Sequence, residues 1–205
     1  MNTIYTIGHS VHKADYFINL LKKHDIDLVL DVRSSPFSKH ASQFNREIIQ
    51  KELERNGIHY KFVGNTFGAR QKDSSLYSDE GILDFDKVKK TDKFKECVEK
   101  VIEYINRANI VLMCSEKDPI DCHRSILLSK AFFDEDINIK HILENGEVET
   151  QLGLENRLLE LYELPRKTQK TLDFFAKGDG EGFINHLQIA YKKRNKDIGY
   201  CIISK

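Results

Sequence analysis

The sequence predicts an α/β domain of three layers: a parallel, Rossmann- or flavodoxin-like sheet of about five strands with helices on both faces. Three observations carry the prediction. Short β-rich runs alternate with segments of helical periodicity. The run "DLVLDVR" is nearly unbroken in apolar residues, as a strand covered on both faces must be. The connections are short, as right-handed strand–helix–strand units require.

Taken in order, "TIYTIG" (3–8) reads as the first strand. Ser10 is placed to cap a helix over 11–23, where Phe17, Leu20 and Leu21 fall at helical spacing. Strand two follows over 27–33, then an irregular loop over 34–44. Asn45 is placed to cap a helix over 46–55, with Gly57 just past its end. "IHYKFVG" (58–64) is strand three, and the charged, glycine-spotted stretch 65–90 reads as a long surface loop. Residues 92–107 carry Phe94, Val98, Val101, Ile102 and Ile105 on one face of an amphipathic helix, with Cys97 packed beside it. "NIVLMCS" (109–115), "SILLSKAFF" (125–133) and "INIKHIL" (137–143) supply strand four, a helix and strand five. A closing helix ends before Pro165, so the α/β domain occupies 1–165.

The remaining stretch, 166–205, forms a basic C-terminal extension with nine Lys/Arg against four Asp/Glu. It predicts an amphipathic helix over 181–197 and an edge strand at "GYCIIS", which holds Cys201, both packed on the domain. The cations at the helix end complement its dipole. A nucleic-acid contact is the competing role for them, and the charge of the whole chain argues against it. Lys+Arg and Asp+Glu both total 32, so no global field draws the protein to polyanions.

No apolar run approaches the ~20 residues that span a bilayer, so no membrane partner is expected. The N-terminus lacks a secretory pattern. Those features point to the cytoplasm, where the four cysteines stay reduced.

The unusual polar residues gather at the carboxyl ends of the predicted strands, where α/β sheets bind ligands. Strand one ends in Gly8, His9 and Ser10; strand two in Asp31, Arg33 and the loop Ser34–Ser38; strand three leads to Gly64, Gly68 and Arg70. Strand four ends in Cys114 and Glu116, and its loop closes on Cys122, His123 and Arg124. Even strand five ends near His141 and Glu144.

The stretch "VLMCSEKDPIDCHRSILL" then has three readings. In one, Cys114 is a nucleophile or polarised thiol, Glu116 an acid or base, and Arg124 at a helix start helps cradle an anion. Nine residues separate Cys114 from Arg124, too many for the tight cysteine–arginine phosphate loop. In the second, Cys114, Cys122 and His123 hold a metal ion, with a fourth donor from His9, Asp31 or Glu116. The cysteine spacing is longer than the knuckle of structural zinc sites. In the third, the cysteines pack as small hydrophobes while Asp121, His123 and Arg124 brace the next helix.

"YTIGHS", "DVRSSPFS" and "CSEKDPIDCHR" together resemble the domain of unknown function 488 family. Cys114, Glu116, Pro119, Cys122, His123 and Arg124 match its C-x-E-x-x-P-x-x-C-H-R pattern. The likeness runs over about residues 3–160. It implies that the motif residues share a purpose without naming one. A Leu-Gly-Gly run is expected after strand three, and this chain departs from it with Phe67-Gly68-Ala69-Arg70, where Ala69 narrows any pocket that loop shapes.

The reading that follows is an enzyme, a hydrolase or transferase, with one pocket at this edge for a small anionic, nucleotide-like substrate. Cys114, Glu116, Arg124 and Asp31 carry the chemistry, Asp31 orienting. His9, Ser10, Arg33, Ser38, Gly68, Arg70, Cys122 and His123 bind the substrate. Asp31 and Arg33 are read as separate, on opposite faces of their strand. A metal ion at Cys114, Cys122 and His123 is the one cofactor the residues offer. The alternative is a non-enzymatic module binding metal or nucleic acid. The oligomeric state is not encoded in any of these features.

Overall fold

The computed structural model describes residues 2–166 and 180–202. The chain alternates as expected: β1 (Thr3–Gly8), α1 (Ala14–Lys23), β2 (Leu28–Asp31), α2 (Arg46–Arg55), β3 (His59–Phe62), α3 (Gly64–Phe67), α4 (Phe85–Lys90), α5 (Asp92–Tyr104), β4 (Ile110–Cys114). A turn of π-helix (Arg124–Ser129) then runs directly into α6 (Lys130–Asp134), followed by β5 (Asn138–Ile142), β6 (Val148–Thr150), α7 (Gln151–Leu161) and α8 (Gly180–Ile198). Short 3-10 turns at Ser42–Phe44, Ser74–Leu76 and Pro119–Asp121 interrupt the loops.

The sheet has the order β3-β2-β4-β1-β5-β6. The first five strands are parallel, and β6 adds an antiparallel edge on β5 that the sequence reading does not contain. Chain direction reverses between β1 and β4: the connection after β1 leaves toward β2, the one after β4 toward β5. Their carboxyl ends therefore flank a switch-point crevice, with Gly8 opposite Cys114 in register.

Each face of the sheet buries its own core. On one face, Ile7, Val29, Val111, Met113 and Ile142 meet Phe17, Leu20 and Leu21 of α1 and Ile49 and Leu53 of α2. On the other, Ile4, Leu30, Ile110, Leu112 and Cys114 meet α5, the π-turn, α6 and α7. All five residues of β4 are buried, as its central position demands.

Several local expectations change. Ser10 does not cap α1. It sits at φ 48, and α1 starts after Lys13 with no side-chain cap. Asn45 precedes α2, but its Oδ1 accepts from Ser38 N at 2.7 Å instead of from the helix, which ties down the loop before it. Gly57 lies past the end of α2 at φ 77, a conformation glycine adopts without strain. Residues 65–90 are not a loose surface loop: Phe67, Leu76, Tyr77, Leu83, Phe85 and Val88 are buried in α3, α4 and the turns between them. The helix expected over 125–133 opens as the π-turn, whose Ser129 Oγ donates to Arg124 O at 2.8 Å.

Within the C-terminal extension, α8 packs Leu187, Ala190, Tyr191 and Ile198 onto the second core. The described part of the expected edge strand, residues 199–202, does not join the sheet. It bridges the 81–83 loop, with Leu83 N donating to Tyr200 O at 2.9 Å and Ile202 N to Gly81 O at 3.0 Å. The segment between Arg166 and Gly180 and the last three residues lie outside the described part. Among the described residues no helix is long and apolar enough to cross a membrane.

Candidate metal centre

The polar residues at the carboxyl edge separate into two networks, one against each face of the sheet. The division follows from strand alternation. Asp31 lies on the α1/α2 side with Val29, whereas Cys114 lies on the opposite side with Leu112.

The first network is closed on itself. Arg33 lies two residues from Asp31 and shares its face. The two form a bidentate pair, Nε to Oδ1 at 2.9 Å and Nη2 to Oδ2 at 2.6 Å, so the expectation that they stand apart is corrected. Tyr60 Oη donates to Asp31 Oδ2 at 2.7 Å, a partner that sequence reading missed; its register opposite Val29 was the available signal. Arg33 Nη1 donates to His9 Nε2 at 3.0 Å, and His9 Nδ1 donates to Ser10 O at 2.8 Å. Burial, reinforced by the Arg33 charge, lowers the His9 pKa to about 4, so the ring stays neutral. It stacks on Phe44 with centroids 4.3 Å apart. Asp31, Arg33 and His9 thus spend their polar atoms on one another, on Tyr60 and on the Ser10 carbonyl.

The second network holds the motif loop. Cys114, Glu116, Cys122 and His123 bring one donor atom each within 4.8 Å of one another. Cys114 ends β4, while Cys122 and His123 lead into the π-turn, so backbone elements position all three. His123 Nδ1 lies 3.7 Å from Cys114 Sγ and 3.8 Å from Cys122 Sγ. Its Nε2 is 3.2 Å from Val32 O. A carbonyl only accepts, so Nε2 carries a hydrogen while Nδ1 faces both sulfurs. Burial opposes charge on the ring, but the hydrogen bond and charge of Cys122, then Glu116 and the Val32 carbonyl, outweigh it and raise the His123 pKa.

Arg124 is fully buried, and its guanidinium braces the loop: Nη1 donates to Glu116 O at 2.8 Å and Nη2 to Lys117 O at 3.3 Å, while Nε is buried without a partner. Arg124, read from the sequence as an anion holder, here gives Nη1 and Nη2 to backbone carbonyls. Gly8 allows this arrangement. A Cβ there would lie 1.8 Å from Glu116 O and 3.2 Å from Arg124 Nη2.

The thiols are unequal. Burial, then the Cys122 sulfur and Glu116, push the Cys114 thiol well above its ordinary value. Burial opposes charge on Cys122 as well, but a hydrogen bond from Cys114, the Arg124 charge and His123 outweigh it and pull that thiol well down. Arg124 N also points at Cys122 Sγ, at 3.4 Å. Cys122 Sγ donates to Glu116 Oε2 at 2.9 Å, and burial followed by the Cys122 charge raises the Glu116 pKa.

The other sequence-named residues lie apart from both networks or at their rim. Ser10 reaches the site through its backbone, N to Ser115 O at 2.9 Å. Ser38 Oγ accepts from His40 N and Ala41 N, both at 3.2 Å, and serves a turn. Gly68 ends α3 against Ser34. Arg70 is exposed, with its guanidinium over the Tyr200 ring at 4.7 Å, pointing toward the C-terminal segment. His141 lies on β5 between Thr6 Oγ1 at 2.8 Å and Gln151 Oε1 at 2.9 Å; burial first, then Arg124, lowers its pKa to about 3.

Fold and site together define an α/β protein with a buried cysteine–histidine cluster at the switch point of its sheet. Residues 13–131 match the family described as Domain of unknown function DUF488, and the chain belongs to that family. The match includes the "DVRSSPFS" and "CSEKDPIDCHR" motifs and begins after "YTIGHS". No curated protein and no solved structure matches the chain.

Proposed function

We propose that the protein is a metal-dependent enzyme acting on a small anionic substrate, with one zinc-type divalent ion held by Cys114, Cys122, His123 and Glu116. The observation that carries this reading is the shape of the donor set. Zinc bond lengths of about 2.3 Å to sulfur and 2.0–2.1 Å to nitrogen give a tetrahedral sulfur–nitrogen edge of about 3.6 Å. The two edges at His123 are 3.7 and 3.8 Å.

Two further features support it. The Val32 carbonyl orients the histidine, as the outer contacts of metal ligands usually do. Two thiolates and a carboxylate around a divalent ion leave one net negative charge, and the buried guanidinium of Arg124 balances it. Soft sulfur with one imidazole in tetrahedral array suits zinc. A reducing compartment such as the cytoplasm keeps both thiols free to bind. The switch-point position supports catalysis over a purely structural ion.

A second reading, hydrolase or transferase chemistry by a bare thiolate, is favoured by the lowered pKa of Cys122 and would move the nucleophile from Cys114 to Cys122. For nucleic acid the basic end of α8 offers less: Arg194 pairs with Asp121 and Asp197, and Lys196 with Glu80.

The test is metal content after zinc reconstitution of the full chain. About one zinc per chain is expected for wild type, with stoichiometry lost in Cys122→Ser and His123→Gln variants that keep their circular dichroism. Absence of uptake by wild type, with Cys122 alkylated rapidly at neutral pH, sinks the metal reading in favour of the thiolate.

A further inference from the structure

We infer that Glu116 is an exchangeable ligand, and that the fourth coordination position is the port through which water or a small oxyanion substrate reaches the metal. The inference rests on the metal-centre reading above. Its basis is the unequal footing of the four donors.

Cys114, Cys122 and His123 are buried at 3%, 1% and 6% exposure, and each is set by the end of a strand or the start of a helical turn. Glu116 as a residue is exposed, in a run of three exposed residues, Ser115 to Lys117, that leaves the strand end, although its carboxyl tip lies in partly buried surroundings against Cys122. Among the described residues no lysine, arginine or histidine forms an ion pair with its carboxylate, which touches the cluster's own sulfur instead. Neighbouring charges are otherwise engaged: Lys117 pairs with Glu144. The Cys122 Sγ–Glu116 Oε2 separation of 2.9 Å is also well inside a tetrahedral edge, unlike the two edges at His123. The carboxylate has to shift to ligate at all.

Its backbone, by contrast, is fixed. Arg124 holds the carbonyls of Glu116 and Lys117, and Ser115 O accepts from Ser10 N. A side chain free to swing on a braced backbone vacates a position without unfolding its loop. Three firm protein ligands and one open position are the arrangement of catalytic zinc, and a metal-bound water there ionises near neutral pH. Glu116 is the one exposed donor of the four, so the position it leaves would open on the side from which its chain emerges into solvent. The buried positive charge of Arg124 favours an oxyanion over a cation as the incoming ligand.

The experiment uses the full chain loaded with cobalt(II), whose visible absorption reports coordination, and azide as the probe anion. Glu116→Ala is expected to retain about one cobalt per chain. It should bind azide about tenfold or more tightly than wild type, with a clear change of spectrum. Glu116→Gln, which keeps the shape with a weaker ligand, should fall between the two. Loss of cobalt stoichiometry in Glu116→Ala, with wild type fully loaded, makes Glu116 an integral ligand of a closed site and overturns this inference while the metal centre stands. A loaded variant whose spectrum ignores azide overturns it too. A wild-type chain that takes up no cobalt overturns the metal centre itself, and this inference with it.

Discussion

Replacing Arg124 by methionine tests whether the buried guanidinium is a brace and a counter-charge. Methionine keeps much of the length and none of the donors. Two hydrogen bonds vanish, at 2.8 Å to Glu116 O and 3.3 Å to Lys117 O. Bonds from charged donors contribute roughly 1.5–3 kcal/mol each, and the longer one belongs at the low end, so the loss is about 4 kcal/mol. Against it stands the relief of a buried Nε with no partner, about 1–3 kcal/mol. The balance is a destabilisation of about 2 kcal/mol in the metal-free protein. Urea denaturation of that form reads it directly: with a slope of roughly 2–3 kcal/mol/M, the midpoint falls by a little under about 1 M. Zinc affinity should fall in addition, because the metal-bound cluster is left with an unbalanced negative charge. Arg124→Lys separates the effects: it restores charge but not the two-carbonyl reach, so it recovers affinity more than stability. An unchanged urea midpoint in Arg124→Met would refute the brace, and unchanged zinc affinity would refute the charge argument.

Gly8→Ala should disturb the same loop from the opposite side, since its Cβ would overlap the Glu116 carbonyl at 1.8 Å; lowered zinc affinity with a destabilisation of about 2 kcal/mol or more is expected in a urea titration. Tyr60→Phe removes one hydrogen bond to Asp31 in the other network, costing about 1 kcal/mol in the same titration while zinc binding stays at the wild-type level. His9 and His141, lowered to about 4 and about 3, are kept neutral by the fold, whereas both titrate near 6.5 when unfolded. Their contribution is therefore complete above pH 6.5 and is lost as pH falls toward their folded values. At about pH 5 each has lost about 2 kcal/mol, so the urea midpoint should drop steeply between about pH 7 and 5, and less steeply in His141→Gln. A pH-independent midpoint across that window counts against neutral burial of both rings.

The sequence exposed the alternation of strands and helices and the edge at which polar residues collect, because both follow from residue type and spacing alone. It hid what depends on register. Whether His9 and Arg33 join Cys114 or Asp31 is decided by which face of β1 and β2 each residue ends on. The irregular spacing of Phe67, Leu76, Tyr77, Leu83, Phe85 and Val88 concealed a buried segment beneath charged neighbours. The π-turn was equally illegible, since an apolar run such as "SILL" fits a π-turn as readily as an α-helix.

Arg124 shows most clearly why residue type misleads at such an edge. An arginine at a helix start after a cysteine reads as an anion holder, and only the close approach of Gly8 to the Glu116 carbonyl reveals another use. That approach sets the 116–117 backbone beside the guanidinium, whose donors then satisfy the Glu116 and Lys117 carbonyls. The charge that remains has no carboxylate partner of its own among the described residues, while two sulfurs, an imidazole and an acid stand beside it. A buried cation without a counter-ion is costly, and a divalent ion held by two thiolates and a carboxylate supplies the missing charge. Arg124 and the four donors therefore argue for one another: the donors need the loop that Arg124 braces, and Arg124 needs the net charge the donors acquire when they bind metal.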